Sequence, residues 1–322
     1  MSQVIRAATR GSALARWQTE HVAALLRSAD PDVVVEMVIV ETAGDRRQDI
    51  PIWQMGGKGV FVKEVQAAVL DGRADIAVHS AKDLPAITPA GLNIAAVPER
   101  ADARDILVGS SLDNLAPGAV VATGSVRRRA QLASARPDLT FSGLRGNIET
   151  RLAKAADFAA IVMALAPLLR LGLLDEVRAS RVIEILEPSV MLPQVAQGAL
   201  AIECRDDDAD NMSDLSALLR MIEHRPSRLM VDAERGFLAE LGGDCDLPAG
   251  AYATLSPTGR LQLEGLIASL DGHTVLRHVV EVEVEVELEV EFGSSGDGAS
   301  RLGHEVARYL LHDAGGAALL DR

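Results

Sequence analysis

Ala74-Asp75-Ile76-Ala77-Val78-His79-Ser80-Ala81-Lys82-Asp83-Leu84-Pro85 joins a short apolar run to a polar turn that carries a cation and an acid. The apolar part, Ala74 to Val78, has the length and composition of a buried strand. Ahead of it, Phe61, Val65, Ala68 and Val69 recur at helical spacing, and Gly72 ends that helix. Further upstream, Val4 to Thr9 and Val33 to Val40 read as strands. The helix between them shows Leu14, Trp17, Val22, Leu25 and Leu26 on one face, and Pro31 closes it. Such alternation predicts a parallel or mixed sheet covered by helices.

Downstream, Pro98-Glu99-Arg100-Ala101-Asp102-Ala103-Arg104-Asp105 is polar and reads as an inter-domain connection. The α/β rhythm then restarts, with strands expected at Ala119 to Ala122, Leu139 to Phe141 and Ala159 to Met163. A second crossing is expected near Pro188 to Gly198. From about Met221 the pattern changes. Val231, Phe237, Leu238 and Leu241 suggest a helix, followed by a glycine-rich loop, several strands and a last helix containing Leu302, Val306, Tyr309 and Leu310. The expected fold is α/β, with two lobes of mixed sheet around a cleft and a small C-terminal α+β domain. Its expected boundaries are 1–99 with about 199–217, then 103–195, then 221–322.

A chain of 322 residues accommodates two or three such domains. Aromatic residues make up only 3%, so Val, Leu, Ile and Ala must fill the cores. The formal charge of −14 opposes general affinity for nucleic acid or an anionic membrane, so any anion site has to be a local basic patch. The N-terminal residues lack the apolar stretch of a signal peptide, and the longest apolar run, Phe158 to Leu169, is too short for a bilayer and contains Pro167. A cytoplasmic enzyme is the expectation. Cys204 and Cys245 lie far apart and suggest neither a disulfide framework nor a metal site. Val279 to Phe292 alternates valine or leucine with glutamate, which predicts a long strand with one acidic, solvated face.

The cations fall where the strands end. Arg10 follows the first strand, Lys58 lies in Gly56-Gly57-Lys58-Gly59 before a helix, and Lys82 follows the short strand quoted above. Arg127, Arg128 and Arg129 come after Thr123-Gly124-Ser125; Arg145 follows another strand, with Arg151 and Arg170 beyond it. Ligands of open α/β sheets bind beyond the carboxyl ends of strands, where helix N-termini also present N–H groups. Arginine's planar fork suits carboxylates. The set points to a site for a molecule with several carboxylates or phosphates, and no Walker loop, Rossmann fingerprint or zinc-protease helix accompanies it. Asp83 stands among these cations either as a turn cap or as a proton donor and counter-charge. Cys245, in Gly242-Gly243-Asp244-Cys245-Asp246, sits in a loop open enough for covalent chemistry, whereas Cys204 reads as a small buried apolar group.

These segments, in their order and spacing, resemble the porphobilinogen deaminase (hydroxymethylbilane synthase) family from about Ile5 to the C-terminus. The resemblance is carried by Ala8-Thr9-Arg10-Gly11-Ser12, the Gly56–Glu64 segment, the Ala74–Pro85 segment, Arg127-Arg128, Leu144-Arg145-Gly146-Asn147 with Thr150-Arg151-Leu152, Arg170-Leu171-Gly172-Leu173, and Gln197-Gly198-Ala199 with Ile202-Glu203-Cys204-Arg205. It implies two lobes like those of periplasmic binding proteins, a third domain, and a monomer. It also implies a dipyrromethane cofactor attached by a thioether to Cys245, on which four porphobilinogens are condensed head to tail with loss of ammonia. By that resemblance Asp83 stabilises the azafulvene-like cation and assists proton transfer. Arg10, Lys82, Arg127, Arg128, Arg145, Arg151 and Arg170 hold carboxylates, and Ser12, Lys58, Ser80, Thr123 and Ser125 line the cofactor and substrate site. Gln54, where some members carry lysine, and Asp244, where glycine is usual, depart from the family pattern. The reading from another class is a non-catalytic two-lobed binder of a small anion, which would need neither Cys245 nor Asp83.

Overall fold

The structure, a computed structural model, describes residues 3–42, 44, 61–210, 214–242, 247–284 and 296–320. Among these, Met1–Ala101 and Ala199–Leu229 form one compact unit; Asp102–Gly198, Met230–Glu285 and Ser295–Arg322 form another.

The chain runs through β1 (Val4–Arg10), α1 (Ala13–Ala29), β2 (Val34–Val40), α2 (Lys63–Leu70), β3 (Ile76–Ser80) and β4 (Leu92–Ala96). It enters a second sheet as β5 (Asp105–Val108) and continues through β6 (Val120–Ala122), α3 (Val126–Ala135), β7 (Thr140–Ser142) and α4 (Ile148–Lys154). β8 (Ala160–Ala164), α5 (Ala166–Arg170), α6 (Leu174–Ser180) and β9 (Ile183–Leu186) complete that run. A stretch without helix or strand leads back to β10 (Leu200–Arg205) in the first sheet.

The two sheets share one plan. Their strand orders are β2-β1-β3-β10-β4 and β7-β6-β8-β5-β9. In each, four strands run in one direction and the strand that follows a crossing is inserted antiparallel in fourth place. β10 separates β4 from β3, and β5 separates β9 from β8. The two expected lobes of mixed sheet are therefore present, and each sheet is completed by a segment distant in sequence. The four strands β4, β5, β9 and β10 extend the strand pattern read from local periodicity.

Both faces of the first sheet are covered, as its apolar runs require. Ile5, Ala7, Ile76 and Val78 pack with Val22 and Leu26 of α1, while Ala8 and Ala77 pack with Val65, Ala68 and Val69 of α2. Each fully buried Ile or Leu contributes about 1.5–3 kcal/mol relative to exposure. The buried face of α1 is Ala15, Gln18, Thr19, Val22, Ala23 and Leu26, so Leu14 and Trp17 are only half-buried and the expected face is rotated. Two polar residues sit inside because each is bonded: Gln18 donates to Ser80 Oγ at 2.8 Å, and Thr19 Oγ1 to the Ala15 carbonyl at 3.0 Å.

After β10 come α7 (Asp206–Asp210), α8 (Asp214–Met221) and α9 (Arg225–Glu240), then β11 (Ala249–Leu255), β12 (Arg260–Ala268) and β13 (Val275–Glu283). α10 (Gly296–Arg308) runs into a π turn at Tyr309–Asp313, and α11 (Ala317–Leu320) follows. The three strands form an antiparallel sheet that, with α9 and α10, makes the small C-terminal α+β domain. Gly265 allows this packing, since a Cβ there would stand 2.6 Å from the Phe237 ring and 2.7 Å from Val306. Glu234, wholly buried on α9, accepts the N–H groups of Ala196 at 2.6 Å and of Ala253 at 2.8 Å. Ala196 has φ +57, a conformation alanine tolerates at a cost of about 1–2 kcal/mol. In β13, Val280 and Val282 are half-buried and Glu281 and Glu283 exposed, as the alternation predicts; Val279 falls on the exposed face. From residue 285 to Phe292 the glutamate tract lies outside the described residues. Among the described residues no helix is long and apolar enough to cross a membrane.

Candidate functional site

In the first unit the expected residues gather at the carboxyl ends of β1 and β3. Arg10 is the last residue of β1, and its guanidinium lies 4.3 Å from the centroid of the Phe61 ring. Ser12 caps α1, with Oγ accepting the Ala15 N–H at 3.3 Å. Ser80 ends β3 with its hydroxyl held by Gln18. Ala81–Asp83 then forms a single 3-10 turn. The Ala81 N–H donates to the Ala199 carbonyl at 3.1 Å, and the Leu84 N–H closes the turn onto the Ala81 carbonyl at 3.2 Å. With Ala81 and Leu84 buried, the half-buried Lys82 and Asp83 between them are presented on a turn fixed at both ends.

In the second unit the sites are again strand ends and helix caps. Thr123, buried after β6, accepts the Ser125 N–H at 3.2 Å, and Ser125 caps α3 by accepting the Arg128 N–H at 3.4 Å. Arg145 stands between β7 and α4, partly buried, and burial pushes its guanidinium pKa down. Asn147 caps α4, accepting the Thr150 N–H at 2.8 Å. Arg151 Nε donates to the Gly146 carbonyl at 2.8 Å. Arg170 ends α5, donates to the Gly198 carbonyl at 2.6 Å, and is pushed by burial down to about 10, still a cation at neutral pH. Desolvated cations of this kind gain most from a carboxylate partner.

Arg127 and Arg128 differ from the others. Both are buried, and both bond Asp105, the first residue of β5: Arg127 Nη2 to Oδ2 at 2.7 Å and Arg128 Nη2 to Oδ1 at 2.8 Å. Gln197 Nε2 reaches the same Oδ1 at 2.8 Å and the Ala103 carbonyl at 2.7 Å. Burial works to raise the Asp105 pKa, but the two guanidinia outweigh it and hold the carboxyl well below the usual range. In the sequence Asp105 ends the polar stretch that reads as an inter-domain connection. An acid that opens the apolar run Asp105-Ile106-Leu107-Val108 signals the need for a buried partner.

Sequence reasoning also left His79, Gln66 and Glu203 without a task. The three are buried together against the first sheet. Lys58, with Gln54 and the glycine loop around it, lies outside the described residues, as do Asp244 and Cys245. Cys204 is fully buried on β10.

Two family descriptions match this chain: "Porphobilinogen deaminase, dipyromethane cofactor binding domain" over residues 5–213 and "Porphobilinogen deaminase, C-terminal domain" over residues 228–312. A porphobilinogen deaminase of Nitratidesulfovibrio vulgaris (strain Miyazaki F) is 44% identical over 321 residues, spanning 98% of this chain and 95% of the relative. Those of Syntrophomonas wolfei and Chromobacterium violaceum are 43% and 44% identical, covering 98% and 97% of this chain and 97% and 96% of theirs. The matched residues run from the first strand through the C-terminal sheet and helices, so the chain belongs to the porphobilinogen deaminase family.

Proposed function

We propose that this chain joins four porphobilinogens head to tail into hydroxymethylbilane, with Asp83 as the catalytic acid and Cys245 as the anchor of a dipyrromethane cofactor. The stoichiometry balances: each condensation forms one carbon–carbon bond and expels one ammonia, and one water enters when the finished tetrapyrrole is released. The observation that carries the reading is the turn after β3, which presents Lys82 and Asp83 from a backbone bonded at Ala81 and Leu84.

The donor set fits such a group. Pyrroles bearing acetate and propionate chains need cations at several points, and Arg10, Lys82, Arg145, Arg151 and Arg170 stand at strand ends and helix termini. When bound, the dipyrromethane supplies the pyrrole carbon on which the chain is extended. Ser12, Ser80, Thr123 and Ser125 add hydroxyls at those ends, and Lys58 a further cation. Arg128 and Arg127 set the base of α3 through Asp105 as well as adding positive charge. Loss of ammonia leaves a cation on the substrate, and the Asp83 carboxylate stabilises it and takes or returns the proton at the reacting carbon.

The third sheet with α9 and α10 serves as a separate domain carrying the Cys245 loop, with boundaries near 221–322. The enzyme works as a cytoplasmic monomer. The decisive experiment incubates purified protein with porphobilinogen and quantifies hydroxymethylbilane and ammonia. One tetrapyrrole per four ammonia is expected, and absence of product from folded, cofactor-loaded protein sinks the reading.

A further inference from the structure

His79 and Glu203 occupy the sheet one step behind the turn that bears Asp83. β3 and β10 are antiparallel, with His79 opposite Ala201 and Ala77 opposite Glu203. His79 and Glu203 are thus diagonal neighbours on one face, the face covered by α2. His79 Nε2 lies 3.1 Å from Glu203 Oε2, and Gln66 of α2 donates through Nε2 to both carboxylate oxygens, at 3.0 and 2.9 Å. None of the three side chains is more than 5% exposed. The imidazole contact is close but not aligned as a hydrogen bond, so its ring nitrogen is held by proximity to the carboxylate rather than by a saturated bond.

Three apolar side chains of similar volume would stabilise this position at least as well, since buried ionisable groups lose solvation that their mutual attraction only partly returns. A polar trio here needs another reason. Ser80, the next residue, points to the opposite face and is held there by Gln18 of α1. The end of β3 is therefore held on one face through His79 by Glu203 of β10, itself bonded to Gln66 of α2, and on the other through Ser80 from α1, directly before Lys82 and Asp83.

We propose that His79 and Glu203 are positioning residues for Asp83: the buried pair sets the direction in which β3 delivers the catalytic turn. The inference rests on the reading of Asp83 given above. Gln66 orients the Glu203 carboxylate, Glu203 orients the imidazole, and the imidazole fixes the backbone from which the turn departs. Small displacements of a catalytic group reduce turnover more than they reduce binding.

The test uses holoenzyme, with cofactor loading verified by intact mass, and compares parent, His79→Phe, His79→Gln, Glu203→Gln and Asp83→Asn. In loaded His79→Phe, kcat is expected to fall about tenfold to a hundredfold while KM changes by less than about threefold. His79→Gln, whose amide places an N–H near the position of Nε2, is expected to regain most of kcat. A role in packing alone would leave kcat per loaded enzyme at the parental value, or equal in the two His79 variants, and either result overturns the proposal. If His79→Phe does not fold, Glu203→Gln, which keeps the volume, is judged by the same split between kcat and KM. Asp83→Asn separates the two levels. Parental turnover there removes the reading of Asp83 itself, whereas an inactive Asp83→Asn beside a fully active His79→Phe removes only the positioning pair.

Discussion

Arg127 Nη2 donates to Asp105 Oδ2 at 2.7 Å, with both side chains withdrawn from water. The guanidinium also reaches the Leu192 carbonyl through Nη1, so one arginine joins the start of β5 to the segment that leads back toward β10. Its charge is matched inside the fold before any ligand is considered. Burial pushes the guanidinium pKa values of Arg145 and Arg170 down as well.

Asp105→Asn leaves two buried guanidinia facing a neutral amide, and a loss of about 3–5 kcal/mol is expected. Urea unfolding checks this through a lower midpoint at an unchanged slope. The pH dependence has a definite sign. The folded-state pKa of Asp105 lies below its unfolded value, so its stabilisation is complete above about pH 4 and declines as the pH falls toward the folded value. Parent and variant should therefore converge in stability only in strong acid.

Arg127→Leu and Arg145→Leu are both expected to impair cofactor assembly or chain elongation, for different reasons. Arg127→Leu strips one partner from a buried carboxylate and should cost several kcal/mol, about 3–5. Arg145→Leu should cost less than about 1 kcal/mol, because its side chain is only partly buried. Intact mass reads loading and elongation, and thermal unfolding reads stability. Normal loading and elongation in Arg145→Leu would remove it from the carboxylate-holding set.

Cys245→Ala should yield protein of its bare sequence mass, while Cys204→Ala keeps the added mass of the dipyrromethane. Cys204 is fully buried on β10 and has no route to a thioether. Extra mass persisting in Cys245→Ala would place the attachment elsewhere.

Asp83→Asn should fold and carry cofactor, since the turn is held by backbone bonds at Ala81 and Leu84 rather than by the carboxylate. Turnover is expected to drop by about 10²–10³, the scale of a lost acid–base or charge-stabilising group. Steady-state assay of loaded enzyme checks it, and near-parental kcat would take Asp83 out of the mechanism.

The sequence alone determined the alternation of strand and helix, the two crossings, the change of pattern after Met221 and the placement of cations after strands. All of these are local: a period of two or 3.6 residues, a glycine or a proline after a helix. Ser12 and Ser125, which the resemblance names as lining hydroxyls, are helix N-caps in the structure, a role their sequence reading did not include. The tertiary structure decided what the polar residues meet. β5 and β10 enter their sheets antiparallel between strands close to one another in the chain, a pairing that no local period encodes. Gln18 turned inward to bond Ser80, Arg127 was committed to Asp105, and Glu203 was set between Gln66 and His79. Periodicity reports which face of an element is withdrawn from water. A buried charge or amide is settled only by its partner, and these partners arrive from elements far away in the chain.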